Sequence, residues 1–160
     1  MNPNEIPIHE IIPSVFVSQL TVAQNKRLLK KYGITHIVNL SQSPNYFPEH
    51  FKYLTIDIPD SIDTDISQHF EHSSNFIHNA IKNNGKVLIH CYAGLSRSPT
   101  ICISYLVQKH NMPLDDAIKF YTSKRQHVIN FGFMNQLARY FTKASNKIVT
   151  RSAIQSKFSY

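Results

Sequence analysis

The run "VLIHCYAGLSRSPTICISYL", residues 87–106, sets one cysteine, Cys91, at the end of an apolar stretch and one arginine, Arg97, six positions later. Those side chains at that spacing suit chemistry on a phosphate ester. An ordinary thiol, with a pKa near 8.5, is only about 3% ionised at pH 7, yet the thiolate is the nucleophile. A sulfur placed beneath a helix N-terminus, beside a guanidinium and inside a ring of backbone N–H groups, is favoured as the anion. The same donors suit a phosphate dianion, because free N–H groups at a helix start point at the ligand and the helix dipole favours negative charge. A planar guanidinium grips two phosphate oxygens at once, which an ammonium does not. Gly94, one of only four glycines, lies midway between the two side chains and allows the backbone a positive φ where the loop must curl.

An alkoxide or phenoxide leaving phosphorus needs a proton, so a carboxylic acid should reach this loop. Four aspartates lie upstream in "DIPDSIDTDI": Asp57, Asp60, Asp63 and Asp65. Asp57 falls inside a strand pattern and Asp65 is explained as a helix cap. Asp60 and Asp63 remain, both on the connection between the two elements. Ser98, directly after Arg97, suits a helix N-cap before Pro99. His69, His72 and His78 share one helix without a set of carboxylate partners, so no metal site is read there. Cys102 has an all-apolar setting and reads as core.

The elements that must position these groups follow from periodicity. "SVFVS" (14–18) alternates as a short strand, and "TVAQNKRLLKKYG" reads as one helix with Thr21 near its N-cap and Gly33 at its stop. "ITHIVNL" (34–40) is a buried strand, "SQSPNYFPEH" a loop, and "YLTIDI" (53–58) a strand ending at Pro59. From Asp65 to about Asn83, apolar residues at 66, 70, 77 and 81 form one helical stripe, with Asp65 and Gln68 suited to a capping arrangement. "KVLIHC" (86–91) carries consecutive apolar residues, as a strand buried on both faces does. "PTICISYLVQKH" is a helix apolar nearly all round, with Pro99 at its first position. Two more helices are expected at about 113–124 and 131–144, followed by a basic tail, 143–160. Strands alternating with helices predict an α/β fold: a mostly parallel central sheet sandwiched by helices, with ligands beyond the carboxyl ends of the strands. Cys91 stands at one such end.

Bulk composition bounds the rest. At 160 residues, 42% hydrophobic and 17% charged, the chain suits one soluble globular domain. No run of 18 apolar residues suggests a membrane span, and "MNPNEIPIHE" lacks the layout of a secretory signal. Two cysteines are too few for a disulfide scaffold, so a reducing compartment, cytoplasmic or nuclear, is expected. The net charge of +7 is spread rather than gathered into a block, and no aromatic–basic ladder accompanies it, which argues against a nucleic-acid partner.

"HCYAGLSRS" resembles the signature of the cysteine-dependent dual-specificity protein phosphatases, of the small atypical type. The resemblance covers roughly residues 8–142, after a short lead, 1–7. "LLKKYGITHIVNL", "YLTIDIPDSIDTDI", "FIHNAI", "GKVLIHCYAGLSRSPTICISYL" and "FMNQL" stand in the family's order and approximate spacing. It implies a protein-tyrosine-phosphatase-like fold, Cys91 as nucleophile and Arg97 as phosphate clamp. The backbone amides of Tyr92, Ala93, Gly94, Leu95, Ser96 and Arg97 would complete the cradle. It places the general acid at Asp60, gives the Ser98 hydroxyl a hydrogen bond to the sulfur, and makes His90 a structural hydrogen-bonder. Asn130 resembles a residue that buttresses the loop, although "RQHVINFGFM" is one residue shorter than the common pattern and has Ile129 where proline is usual. The implied substrates are phosphotyrosine and phosphoserine or phosphothreonine on proteins, kinases among the partners, without metal, cofactor or membrane. The neutral loop residues lean away from inositol phosphates. A lipid, RNA or glycan phosphatase and a phosphate-binding scaffold are the alternatives.

Overall fold

The computed structural model describes residues 7–142. The expected tail, 143–160, and all but the last residue of the lead lie outside them. Five strands form one sheet: β1 (Ile8–Ile12), β2 (Val15–Ser18), β3 (His36–Asn39), β4 (Lys52–Thr55) and β5 (Val87–His90), in the spatial order β1-β2-β5-β3-β4. Only the β1–β2 pair is antiparallel; β2, β5, β3 and β4 run parallel.

Side-chain alternation along the strands divides the interior in two. On one face, Phe16, Ile37 and Leu88 pack with Val22 and Leu29, from helices α1 (Leu20–Ala23) and α2 (Lys26–Lys31). On the other, Val15, Val17, Val38, Val87 and Ile89 meet the larger helical layer. That layer comprises α3 (Phe70–Lys82), α4 (Arg97–His110), α5 (Leu114–Lys124) and α6 (131–142). Every residue of β5 is buried, as its apolar run predicts for a central strand. The sandwich expected from the alternation of elements is the one observed.

Helix α4 is buried continuously from Arg97 to Leu106. Its Ile101, Ile103 and Leu106, none of them exposed, each contribute about 1.5–3 kcal/mol by leaving water. This fixes the helix N-terminus rigidly against the end of β5. No helix among the described residues is long and apolar enough to cross a membrane.

Several local expectations are corrected. The single helix expected from Thr21 to Gly33 is broken at Gln24 and Asn25. Asn25 leaves helical geometry (φ −111°, ψ 91°) and its side chain accepts a hydrogen bond from the Leu28 N–H at 3.1 Å, capping α2 instead. Thr21 therefore sits inside the short α1 and caps nothing. The stop at Gly33 holds: its N–H reaches Lys30 O and that of Ile34 reaches Leu29 O, both at 3.0 Å, the paired bonds of a Schellman ending.

The strand expected over 53–58 leaves the ladder after Thr55, and Ile58 N–H turns back to Ile56 O at 3.1 Å. Asp65 does not form a reciprocal capping pair. It accepts from the N–H and hydroxyl of Ser67, while Gln68 donates to the Asp65 carbonyl, and a 3₁₀ turn (Ser67–His69) precedes α3. Helix α4 begins at Arg97, so Pro99 is its third residue, still within the first turn where a missing N–H costs no intrahelical bond. Strand β1 was not foreseen.

Candidate active site

The loop joining β5 to α4 runs from Cys91 to Ser96 beyond the carboxyl end of the central strand. A cleft of about 280 Å³ opens there, lined by Asp60, Cys91, Tyr92, Ala93, Leu95, Ser96, Arg97 and Val128. Cys91 is a buried, free thiol, and its sulfur lies 3.1 Å from the Ser98 hydroxyl. The sulfur and the N-terminus of a 14-residue helix thus share one end of the fold, where the dipole amounts to roughly half a positive charge.

Arg97 is held from both sides. Its Nη1 donates to the carbonyl oxygens of Leu40, at 2.7 Å, and Ile58, at 2.9 Å. The early departure of the chain from β4 is what turns the Ile58 carbonyl to this position. Its Nε is buried without a protein partner. A buried donor left without a partner is costly unless something accepts its hydrogen bond. An anion in the cleft would do so.

The loop is tied down at four places. Leu20 N–H donates to Tyr92 O at 3.0 Å, Val128 N–H to Leu95 O at 2.7 Å, and Asn130 N–H to Ser96 Oγ at 2.9 Å. Arg125 Nε donates to Gly94 O at 3.3 Å, and Arg125 Nη1 donates to His9 Nδ1. Gly94 has φ +72°, and a Cβ there would sit 2.8 Å from the Ser18 carbonyl group. The position therefore requires glycine for both its conformation and its packing. Gly94 faces away from the cleft, toward Ser18 and Arg125, so only its backbone belongs to the loop's chemistry.

His90 is fully buried at the end of β5, and its Nδ1 donates to the Cys91 carbonyl at 3.3 Å. Burial lowers its pKa to about 4, against the opposing pull of that hydrogen bond and with a further push from Arg97. The imidazole is neutral at pH 7.

The structure separates the two candidate acids. Asp60 lines the cleft and accepts a hydrogen bond from Asn130 Nδ2 at 2.7 Å. Asp63 is exposed, takes only a 3.4 Å contact from its own N–H to Ser61 Oγ, and does not line the cleft. Asn130 does three things: its N–H meets Ser96, its amide meets Asp60, and its Oδ1 accepts from Phe133 N–H at 2.9 Å, capping α6. The non-proline residue at 129 does not prevent this bridge between the connection that carries Asp60 and the Cys91–Ser96 loop.

Sequence reasoning missed the Leu40 and Ile58 carbonyls, the Ser96 hydroxyl as an acceptor, Val128 on the cleft wall, and Arg125 as a brace. Arg125 is 31 residues from its Gly94 partner, and no local pattern announces the contact.

A mostly parallel sheet with a cysteine–arginine loop between its central strand and a buried helix defines a protein of the tyrosine-phosphatase-like, cysteine-dependent class. Residues 15–143 match the family model for the dual specificity phosphatase catalytic domain. Dual specificity protein phosphatase 1-A of Xenopus laevis is 38% identical over 133 residues, which are 82% of this chain and 36% of that protein. MAP kinase phosphatase with leucine-rich repeats protein 3 of Dictyostelium discoideum is 43% identical over 137 residues, 84% of this chain and 16% of that one. Among solved structures, the human tyrosine phosphatase-like serine/threonine/tyrosine-interacting protein superposes with a TM-score of 0.80 at 32% identity, covering 86% of this chain and 97% of that one. The chain belongs to the dual specificity phosphatase catalytic-domain family. It spans about a third or less of the length of the two sequence relatives.

Proposed function

We propose that this chain is a protein phosphatase, hydrolysing phosphotyrosine and phosphoserine or phosphothreonine on proteins through a phosphocysteine intermediate. The observation that carries the reading is Arg97: anchored through Nη1 on two carbonyls, it lines the same cleft as Cys91 and has a buried Nε that no protein group accepts from. Such a donor is preorganised for the oxygens of a phosphoryl group. Its family relatives carry protein-phosphatase names, which supports phosphoproteins over lipid, RNA or glycan substrates. The likeness to a MAP kinase phosphatase makes phosphorylated kinases candidates among them.

In the first step the Cys91 thiolate attacks phosphorus, the S–P bond forms, and the P–O bond to the substrate breaks. Asp60, protonated, gives its proton to the departing oxygen. The loop amides and Arg97 hold the three phosphoryl oxygens as charge redistributes. In the second step Asp60, now a carboxylate, takes a proton from water as that water attacks phosphorus. The S–P bond breaks, and the Ser98 hydroxyl donates to the sulfur as it leaves. His90, buried and neutral, steadies the Cys91 carbonyl rather than moving protons. Asn130 keeps Asp60 over the loop. A reducing cytoplasmic or nuclear setting suits two free thiols, one of them the nucleophile.

Asp60→Ala separates this chemistry from simple phosphate binding. With a phosphoserine peptide, whose alkoxide needs the proton, kcat should fall by about 10²–10⁴, the usual worth of a positioned acid. With p-nitrophenyl phosphate, a far better leaving group, the loss should be several-fold smaller. Steady-state rates on both substrates decide it, and equal losses would remove Asp60 from the acid's role. A scaffold that only binds phosphate would leave p-nitrophenyl phosphate unhydrolysed by the unaltered protein.

A further inference from the structure

Exposed apolar side chains scattered singly over a surface need no explanation, but a cluster of them does. Among the described residues six large apolar side chains are exposed, and four belong to the surroundings of one cleft: Ile62 (63% exposed), Tyr92 (67%), Val128 (71%) and Phe131 (76%). Tyr92 and Val128 line it directly. Ile62 lies two residues beyond Asp60 on the same connection, and its carbonyl presses on Gly132 so closely that a Cβ there would collide with it. Phe131 stands between that contact and Asn130, which holds Asp60. Three separate segments, 60–62, 91–92 and 128–132, thus bring exposed apolar residues onto or next to the residues that line the same opening.

We propose that this rim reads the residues flanking the phosphorylated side chain, and that the preferred substrates carry large apolar residues on either side of it. The proposal rests on the phosphatase reading above and names a substrate class within it. A phosphorylated side chain can reach the Cys91 sulfur only by crossing the rim, and this brings its neighbours in the polypeptide onto Ile62, Tyr92, Val128 and Phe131. These side chains offer apolar area and no cation. Apart from buried Arg97 the cleft is lined by no cation, so nothing at its edge attracts an acidic flank. Lys124 and Arg125 line a different cleft, on the far side of Leu95 with His9. An acidic flank that reached them would favour the opposite preference, so the two readings divide cleanly.

The test uses three phosphotyrosine peptides of one length, flanked by leucine and phenylalanine, by serine, or by glutamate. The apolar peptide should give kcat/KM about tenfold above the serine peptide, the factor that corresponds to about 1.4 kcal/mol, with the gain in KM rather than kcat. The double variant Ile62→Ser, Phe131→Ser should erase that difference while p-nitrophenyl phosphate, which has no flanks, is turned over within about twofold of the original rate. Binding of the same peptides to Cys91→Ser protein, followed by fluorescence anisotropy, should give the same order of Kd. Equal kcat/KM for the three peptides, or a lead for the glutamate peptide, would overturn the rim while p-nitrophenyl phosphate hydrolysis upheld the phosphatase. Absence of that hydrolysis would strike the phosphatase reading instead, and the Kd order alone would then decide for or against the rim.

Discussion

Cys91→Ser should lower kcat toward p-nitrophenyl phosphate by about 10⁶, the order of loss seen when an attacking nucleophile is removed. A serine hydroxyl in that place is not ionised at neutral pH and has no neighbouring base to take its proton. His90, the nearest imidazole in sequence, is neutral but turns its Nδ1 to the Cys91 carbonyl. Binding should survive, because the loop amides, the α4 dipole and Arg97 are untouched. Inorganic phosphate should compete for the variant with a Kd within a few-fold of the original, as read by calorimetry. The substitution removes no more than the size difference between sulfur and oxygen from a buried site, so the melting temperature should barely move. Turnover within about a hundredfold of the unaltered protein would mean that another group attacks phosphorus.

Arg97→Lys keeps the charge and discards the geometry. In the structure Nη1 of the guanidinium is committed to Leu40 O and Ile58 O, and Nε is buried without a protein partner. A lysine ammonium presents its donors from a single point and does not span both tasks. If it serves the two carbonyls, the phosphoryl oxygens lose their clamp. If it turns to the phosphate, two buried acceptors lose their shared donor, at about 1–3 kcal/mol. The expected result is a fall in kcat of about 10³, comparable with the loss of other transition-state donors. Weaker phosphate binding and a lower melting temperature should accompany it. Retention of kcat within about tenfold would show that positive charge alone suffices, contrary to the fork geometry proposed here.

How much of this could be read beforehand depended on how local each signal is. The candidate phosphate loop was legible because Cys91, Gly94, Arg97 and Ser98 fall within eight consecutive residues between a strand and a helix whose own patterns are strong. The two-sided burial of β5 followed from its uninterrupted apolar run. Strand β1 escaped notice because the adjacent Ile11 and Ile12 break the alternation in the sequence, and in the sheet a register shift between Glu10 and Ile12 accommodates them. The break at Asn25 was hidden by good helix formers on both sides, which outweighed one capping side chain in the pattern. The partners of Arg97 are backbone carbonyls, and backbone groups leave no trace in residue type. The choice between Asp60 and Asp63 was open on connection geometry alone, and the Asn130 amide, 70 residues away, is what holds the first of them at the cleft. Exposure, and with it the apolar rim, is a property of the folded surface that composition does not disclose.

Ser98→Ala gives the most direct view of the covalent step. Its hydroxyl lies 3.1 Å from the Cys91 sulfur, and a hydrogen bond to a charged group is worth about 1.5–3 kcal/mol. Without it the sulfur leaves phosphorus about ten- to a hundredfold more slowly, so the phosphorylated protein should accumulate. Rapid mixing with p-nitrophenyl phosphate, acid quenching and peptide mass mapping should find one phosphoryl group on the peptide containing Cys91, with a matching burst of nitrophenolate. Hydrolysis that proceeds with no burst, or a phosphoryl group on any other residue, would contradict attack by the Cys91 sulfur.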